Sequence, residues 1–439
     1  MNNKKVFIVH AVDTEGPLTE SSSETIKRFN NIIKPKIRIK NKSQLFAALD
    51  QKNFNKKIQK NFNSHLLKYN NSWNDIKKML QKLEETNLRT KLLDHDNKGY
   101  KITWHCMDHV NYKTNLRKKT FGYNKIFDFY KDYINNNNLK DEIEFHFHPM
   151  SIYEDCHRDG YLLMRNDNLY QILCRRILDR NWFPSSFRAG FHSERQDLHT
   201  FLEHYIPFDL SNINKNKKRH KNFKPHLASS GYDWRRATDK WEIYNPDFYD
   251  YQKKGKCNRS IGRVLSIMDR TVSIDQNEVD AAFSRANKNK KTMLAVTNHD
   301  FRNINYEINY FLDMIKKSAN KFPDVKFFYN NTTEAFQNCL NLKNNKSNKL
   351  KIKIYKLNDN SFVIKAVKGN VFGPQPFLAL KLISGKYVHD NLNFDLKSHN
   401  TWYYTLNSQH NISFKDLKSI GVGACDKYGN SSVDVMSIS

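Results

Sequence analysis

Over its first 340 residues the chain alternates short apolar runs with longer amphipathic segments, and this alternation constrains the fold more than any other feature. The first run, residues 5–12, is largely apolar and leads into Asp13 and Glu15 before the breaker Gly16-Pro17. Such runs predict buried strands. They recur near residues 101, 142, 186, 207, 293 and 325, and helical patterns recur near residues 124, 169, 197, 278 and 305. Strands that alternate with helices predict a parallel sheet or a barrel.

Residues 142–149, Glu-Ile-Glu-Phe-His-Phe-His-Pro, combine a strand pattern with two histidines. Isoleucine and phenylalanine favour a strand, and Pro149 stops the ladder just after the second histidine. Because strand side chains alternate with a period of two, His146 and His148 point to the same side and can hold one ion together. The alternative is a pair of ordinary, hydrogen-bonded histidines at the end of a sheet.

Asp13 and Glu15 are also two residues apart, at the end of the first strand. In α/β proteins the carboxyl ends of such strands form the crevice where ligands bind, so both acids are placed for metal binding or base catalysis. Alone, they would more simply cap the next helix or pair with lysine. The histidine pair makes the metal-site interpretation stronger.

Three further segments carry polar residues of interest. Residues 186–190 place Arg188 at a predicted strand end, residues 231–234 (Gly-Tyr-Asp-Trp) place Asp233 beside Trp234, and the apolar run 293–298 ends in His299 and Asp300. In chain order, the five segments resemble the five motifs of the NodB-type polysaccharide deacetylases. These carbohydrate esterases remove N-acetyl or O-acetyl groups from glycans with a divalent metal. The resemblance covers roughly residues 5–335 and depends on the order and placement of the motifs rather than on any single motif.

The resemblance implies a role for each motif. One of Asp13 and Glu15 acts as general base and the other binds the metal; we assign Asp13 as base and Glu15 as ligand, and the reverse stays open. His146 and His148 complete the metal site, for which zinc is expected, with cobalt, manganese or nickel as alternatives. The family has adjacent aspartates and histidines four apart, whereas here Thr14 intervenes and the histidines are two apart.

The remaining motifs supply the other catalytic groups that the resemblance implies. Arg188 orients the base and keeps it ionised. Asp233 tunes the acid histidine, and Trp234 walls the pocket. His299 is the general acid, because an amide leaving group must be protonated as it departs.

Additional side chains are expected to line the same crevice. Residues 105–109 follow a strand predicted to end at Trp104. Sugar contact is favoured over metal binding there, because a cysteine ligand would suggest a closed structural zinc site. The predicted substrate contacts are Trp104, His105, Asp108, His109, His192, Tyr232 and Trp234.

Together with the resemblance, the alternation predicts a distorted (β/α) barrel of about seven strands in residues 1–340. A helical insertion is expected at about 18–98, and the site is expected at the carboxyl ends of the strands. The fold class is therefore α/β.

The pattern changes after an Asn, Lys and Ser-rich linker at residues 341–349. Short strands separated by turns in residues 350–439 predict a small β-sandwich that resembles a fibronectin III or immunoglobulin-like module. Packing against the barrel or dimerisation is favoured over glycan binding through Trp402 and Tyr403, which are expected to be exposed.

Composition narrows the functional class. The net charge is +28, but the basic residues are spread among asparagines and no nucleic-acid-binding motif is present. No specific nucleic-acid partner is therefore expected, while an acidic glycan or an anionic membrane surface is compatible with the charge. Six cysteines without C-x-x-C spacing, no long apolar run and no leader pattern predict a cytoplasmic enzyme.

The sequence thus predicts a hydrolase that removes acyl groups from a glycan, a nucleotide sugar or a lipid-linked oligosaccharide, as an intermediate of surface-polysaccharide biosynthesis. One alternative is a glycoside hydrolase that uses Asp13 or Glu15 together with Asp233 as its carboxylate pair. Another is a noncatalytic carbohydrate-binding or assembly protein with a degraded site.

Overall fold

The structure is a computed structural model. It describes residues 4–19, 22–35, 38–49, 64–113, 121–149, 154, 167–215, 234–269, 273–342, 349–358, 360–406 and 412–438.

The amino-terminal part is a barrel of parallel strands. These strands are β1 (Lys5–Thr14), β2 (Thr103–Cys106), β3 (Glu142–Phe147), β4 (Ser186–Ala189), β5 (Phe208–Asn212), β6 (Ser260–Ser266), β7 (Thr292–His299) and β8 (Lys326–Asn330). The barrel closes through seven strands because β1 pairs with both β2 and β7, while β8 adds to the amino half of β1. The predicted barrel is confirmed.

Helices surround the barrel and follow its strands. The described helices are α1 (Ser22–Ile33), α2 (Lys42–Leu49), α3 (Ser64–Leu67), α4 (Trp73–Glu85), α5 (Lys125–Asn136), α6 (Asn168–Arg180), α7 (Gln196–Tyr205), α8 (Gln276–Asn287), α9 (Ile304–Lys321) and α10 (Thr332–Leu340). Short 3₁₀ turns span Leu88–Thr90, Gly190–His192 and Phe414–Asp416. Helices α1 to α4 lie between β1 and β2, where the sequence predicts a helical insertion.

The period-two alternation of the strands separates two layers of the core. On β1, Ile8 and Val12 face outward and pack with the surrounding helices, whereas Val9 and Ala11 pack with residues of other strands such as Ala295. Asp13 continues the inward series. The alternation therefore points the side chain of Asp13 into the carboxyl end of the barrel.

Strand β6 is the barrel strand that sequence analysis missed. It contains Gly262 and Arg263, residue types that weaken a strand pattern. A Cβ at Gly262 would lie 2.1 Å from Cε of Met293, so glycine allows close packing there. Arg263 is buried because its guanidinium pairs with Glu278 (2.9 Å).

The carboxy-terminal part is a β-sandwich, as predicted. Its strands are β9 (Lys351–Asn358), β10 (Ser361–Lys368), β11 (Phe377–Leu382), β12 (Tyr387–Asp390), β13 (Asn393–Phe394), β14 (Thr401–Thr405), β15 (Leu417–Cys425) and β16 (Ser431–Ser437). They form two antiparallel sheets with the strand orders β13-β14-β10-β9 and β12-β11-β15-β16.

The expectation that Trp402 is exposed is wrong. Trp402 is 1% exposed, lies in the apolar layer between the two sheets, and donates its indole N–H to the carbonyl oxygen of Pro374 (3.1 Å). Tyr403 follows on the opposite face of β14 and donates its hydroxyl to Asp395 (2.8 Å). The alternation of strand side chains decides which of two adjacent aromatics enters the core.

Barrel and sandwich share an interface built on α6. Apolar residues of α6 pack against Phe377 of β11, and the β11 residue Lys381 reaches Asp179 of α6 (2.9 Å). A Cβ at Gly423 would lie 2.6 Å from the ring of Phe183, so the absence of a side chain allows close approach. None of the described helices is long and apolar enough to cross a membrane.

Candidate metal centre

The residues of the predicted metal site meet at the carboxyl end of the barrel. Asp13 on β1 lies beside His299 on β7, and His146 on β3 lies beside Arg188 on β4 in the strand register. Glu15 and His148 follow just after the ends of β1 and β3. In barrels of this kind, side chains from different strands converge at this face.

Glu15, His146 and His148, the metal triad, can hold one ion. The two histidine Nε2 atoms are 3.0 Å apart, and Oε1 of Glu15 lies 3.7 Å from His146 and 3.5 Å from His148. Tetrahedral zinc with bonds of about 2.0–2.1 Å separates its ligand atoms by roughly 3.3 Å. All three side chains are buried, so the ligand atoms fit one divalent cation with little rearrangement.

A backbone contact sets the protonation of His146. Its Nδ1 lies 3.0 Å from the carbonyl oxygen of Arg188, an acceptor only, so Nδ1 carries the hydrogen. In the neutral imidazole, Nε2 then presents a lone pair toward His148 and Glu15. Metal-binding histidines commonly donate their other ring N–H in this way, which fixes the tautomer and the ring orientation.

His148 is positioned by the turn that follows β4. The ring of Phe191 meets the His148 ring edge-on at 4.6 Å. Gly190 lies against the same histidine so closely that a Cβ there would be 2.3 Å from its ring. The turn therefore limits the orientations that His148 can take.

Asp13 lies next to the metal triad but is bound to Arg188. Arg188 donates to both carboxylate oxygens, from Nε (2.5 Å) and from Nη2 (2.9 Å), and its Nη1 donates to the carbonyl oxygen of Leu210 (2.6 Å). Burial alone raises the pKa of Asp13, but the positive charge of Arg188 and the nearby His146 outweigh it and lower the pKa well below 3.8. Asp13 is therefore ionised at neutral pH.

The sequence leaves open which of Asp13 and Glu15 is the base and which is the metal ligand, and in the structure the two acids have different surroundings. Glu15 is the acid whose oxygen lies near both histidine Nε2 atoms. Asp13 instead lies 3.8 Å from the other ring nitrogen of His146, Nδ1.

His299 lies beside both acids. Its Nε2 is 3.5 Å from Oε1 of Glu15 and 4.0 Å from Oδ2 of Asp13. Nη2 of Arg302, which can only donate, is 3.3 Å from Nδ1 of His299, so in the neutral ring the hydrogen is on Nε2. The His299 side chain is 19% exposed, against 3% for Asp13 and 8% for Glu15, so a donor N–H faces the acids at the more open side of the site.

The expectation that Trp104 and His105 both line the crevice is wrong, because they are adjacent on β2 and face opposite ways. Trp104 faces outward, stacks on Tyr130 (4.6 Å) and donates to Asp141 (2.9 Å). His105 faces into the barrel and is fully buried, with Nδ1 donating to the carbonyl oxygen of Phe145 (3.3 Å). Burial, with a smaller effect of Arg188, lowers the pKa of His105 to about 3.

Asp108 and His109 both form hydrogen bonds with other residues of the protein. Asp108 accepts from Nη2 of Arg176 (2.8 Å) and from the backbone N–H of Asn124 (2.5 Å), so its carboxylate supports the loop after β2. His109 donates from Nε2 to the carbonyl oxygen of Glu15 (2.9 Å). Burial lowers the pKa of His109 to about 3, so it stays neutral.

His192 and Trp234 form one unit beside the site. The indole N–H of Trp234 donates to the carbonyl oxygen of His192 (2.7 Å). Phe191 and His192 have φ of +51° and +56°, a left-handed conformation that is uncommon for residues other than glycine and that clusters at functional sites. Burial and Arg188 lower the pKa of His192 to about 4. The predicted Tyr232 and Asp233 lie outside the described residues.

Asp300 and Tyr130 are residues at the site to which sequence reasoning gave no role. The Tyr130 hydroxyl donates to Asp300 (2.9 Å), and Asp300 accepts from the backbone N–H of Glu15 (2.9 Å). The position of Asp300 directly after His299 was a signal for its location. The contact to Tyr130 could not be predicted from the local sequence pattern, because Tyr130 lies on a helix 170 positions away.

A scan against protein-family models, a search of curated proteins and a search of solved structures each find no match for this chain. The geometry of the site and the resemblance of its motifs are therefore the basis for assigning a function.

Proposed function

We propose that this chain is a metal-dependent hydrolase that removes acetyl groups from a glycan or a sugar intermediate, in the manner of the NodB-type polysaccharide deacetylases. The observation that carries the proposal is the convergence of Glu15, His146 and His148 at the catalytic end of a parallel barrel. The Asp13–Arg188 pair and His299 beside this triad supply the other groups that such a reaction needs.

The metal triad would hold a divalent ion, with zinc the first candidate and cobalt, manganese or nickel as alternatives. When bound, such an ion lowers the pKa of water and polarises an acyl oxygen. The protein residues prepare this step. His146 is held in one tautomer by the carbonyl of Arg188, and Glu15 supplies a negative charge that favours cation binding.

Asp13 and His299 divide the proton transfers. Asp13 stays ionised beside Arg188 and accepts the proton of the attacking water with a lone pair that the guanidinium leaves free. As an imidazolium, His299 would donate its Nε2 proton to the leaving nitrogen or oxygen and return to the neutral ring, whose Nδ1 lies 3.3 Å from Nη2 of Arg302. Because His299 lies at the more exposed side, it meets a substrate that enters from solvent.

The carboxy-terminal sandwich is inferred to be of the fibronectin III or immunoglobulin-like kind. In chain order β9 to β16, its two sheets correspond to A-B-E-D and C′-C-F-G, the strand orders of such sandwiches. Its packing on α6 supports a structural role for the module. We propose a carbohydrate partner for the barrel, with the excess of positive charge favouring acidic glycans or contact with an anionic membrane surface.

Elemental analysis and product analysis test the proposal together. We expect about one equivalent of divalent metal in the purified protein and acetate release, without new reducing ends, from N-acetylated oligosaccharides. His148→Ala should lose both the metal and the acetate release. His204→Ala, which changes an exposed histidine of α7 outside the site, should lose neither.

Other outcomes would overturn the proposal. New reducing ends without acetate would indicate a glycoside hydrolase, although Arg188 holds both oxygens of Asp13, which disfavours Asp13 as a nucleophile. Glycan binding without bound metal, unchanged in His148→Ala, would indicate a noncatalytic protein. Bound iron with oxygen uptake would point to an oxygenase, since two histidines and a carboxylate also suit non-haem iron.

A further inference from the structure

Asp300 is a buried carboxylate that the proposed reaction does not use. It follows β7 and is fully buried. Its Oδ1 accepts the backbone N–H of Glu15 (2.9 Å), and its Oδ2 accepts the backbone N–H of Gly16 (2.9 Å). The Tyr130 hydroxyl donates to the same Oδ2 (2.9 Å), which restricts the orientation of the carboxylate.

The other side of the Glu15 backbone is also held. Nε2 of His109 donates to the carbonyl oxygen of Glu15 (2.9 Å). Gly16 has a φ of +69°, a left-handed conformation that glycine adopts without strain, and this turn directs the two consecutive N–H groups toward Asp300. Both peptide groups of Glu15 are thus bonded to side chains that are not themselves metal ligands.

This arrangement explains why a charged side chain is fully buried so near a metal site. A buried carboxylate is costly unless hydrogen bonds compensate it, and here the compensating donors are the backbone of Glu15 and Gly16. Glutamate has three rotatable side-chain bonds. Its Oε1 lies within 3.7 Å of both histidine Nε2 atoms, and fixing the backbone of Glu15 restricts the positions that this oxygen can take.

We propose that Asp300 and His109 are positioning residues that form a backbone clamp on Glu15, and that this clamp sets the affinity of the site for its divalent cation. The inference rests on the proposed function, because it requires that the metal triad binds a metal. Asp300 fixes the N–H side of Glu15, His109 fixes its carbonyl side, and Tyr130 orients Asp300.

The test measures the affinity for Zn²⁺ alone, by competition with a chelator, on metal-free full-length protein. Asp300→Asn keeps the shape but turns one amide N–H toward a backbone donor, so we expect zinc affinity to fall by about 10–100-fold, as for other residues that support metal ligands. The matched control is Asp209→Asn. Asp209 is also buried, but it accepts hydrogen bonds from Arg259 (2.8 Å) and from the hydroxyl of Ser211, which lie outside the clamp on Glu15.

A second pair of variants tests the clamp from the carbonyl side and does not depend on the folding of Asp300→Asn. His109→Ala removes the donor and should weaken zinc binding, whereas His109→Gln keeps an N–H at similar reach and should restore most of the affinity. Thermal unfolding of the metal-free variants separates loss of stability from loss of affinity. A purely structural role would lower stability in Asp209→Asn and Asp300→Asn alike and leave zinc affinity unchanged in both.

The possible results separate this inference from the proposed function. If the unmodified protein binds no divalent metal, the proposed function is wrong and the clamp with it. If the protein binds zinc but Asp300→Asn and His109→Ala bind it equally well, the clamp alone is wrong. Weaker binding in both variants, with normal binding in Asp209→Asn and His109→Gln, supports the clamp.

Discussion

Gly190→Ala should distort the candidate metal centre without changing any of the residues that form it. An added Cβ at Gly190 would lie 2.3 Å from Cγ and Cδ2 of His148 and 2.8 Å from its Cα, whereas ordinary contacts begin at 3.4 Å. The His148 ring therefore has to move by about 1 Å, several times the ~0.2 Å tolerance of metal-ligand distances. Since Cα of His148 is also too close, rotation of the ring alone does not relieve the contact.

The expected loss of zinc affinity depends on how much of the strain at Gly190→Ala is relieved in the metal-free protein. Overpacking in a filled site costs about 1–3 kcal/mol. In the metal-free variant the backbone at His148 and the turn at Gly190 can shift apart together with the ring and relieve most of this strain, but metal binding requires the ring to return. The strain then opposes binding, and since 1.4 kcal/mol is a factor of ten, zinc affinity should fall by about 5–150-fold with a smaller loss of metal-free stability.

Zinc titration and denaturant unfolding of metal-free protein measure the two quantities. Gly255→Ala is the matched control, because its Cβ would lie 2.3 Å from Cα of Asp247, an equally severe contact outside the metal site. We expect this control to lose stability and keep its zinc affinity. Unchanged zinc affinity in Gly190→Ala, or an equal loss in Gly255→Ala, would refute the reasoning.

Three further variants test other parts of the structure. Burial and the charge of Glu142 raise the pKa of Glu144 well above 4.5. The unfolded chain therefore loses this proton first, and the Glu144 contribution to stability should fall by up to about 1.4 kcal/mol per pH unit above pH ~4.5. Glu144→Gln should reduce the slope of stability against pH in urea unfolding across pH 5–8, and its coupled neighbour Glu142, whose pKa burial raises to about 7, accounts for part of the remaining slope. Arg188→Met should cost about 3–5 kcal/mol at pH 7, because it leaves Asp13 as a buried unpaired charge, and adding Asp13→Asn should recover part of the loss. Trp402→Ala should cost about 3–5 kcal/mol in the sandwich while zinc affinity is unchanged.

The strand pattern by itself predicts much of the candidate metal centre. His146 lies on β3 and His148 follows directly after its end, so their convergence follows from the geometry of a single extended segment. The placement of Asp13 at a strand end likewise follows from the local pattern. The barrel and the sandwich were predictable from the alternation of segment types, since that signal is also local.

Other features depended on contacts between distant segments. Strand β6 escaped sequence analysis because Gly262 and Arg263 suit it only through close packing and a distant ion pair. The sequence placed both Trp104 and His105 in the crevice, but the pairing of β2 with its neighbours turned one outward and the other into the barrel. Local periodicity gives two faces to a strand without saying which one is inside.

The choice between Glu15 and Asp13 as metal ligand is the clearest case. The two acids look equivalent in the sequence, and only the fold brings Arg188 from β4 to one of them and Asp300 and His109 to the backbone of the other. Chain sequence determined which chemical groups reach the end of the barrel. Tertiary structure decided that Asp13 pairs with Arg188 while Glu15 lies beside the two histidines, because these partners come from strands that are distant in the sequence.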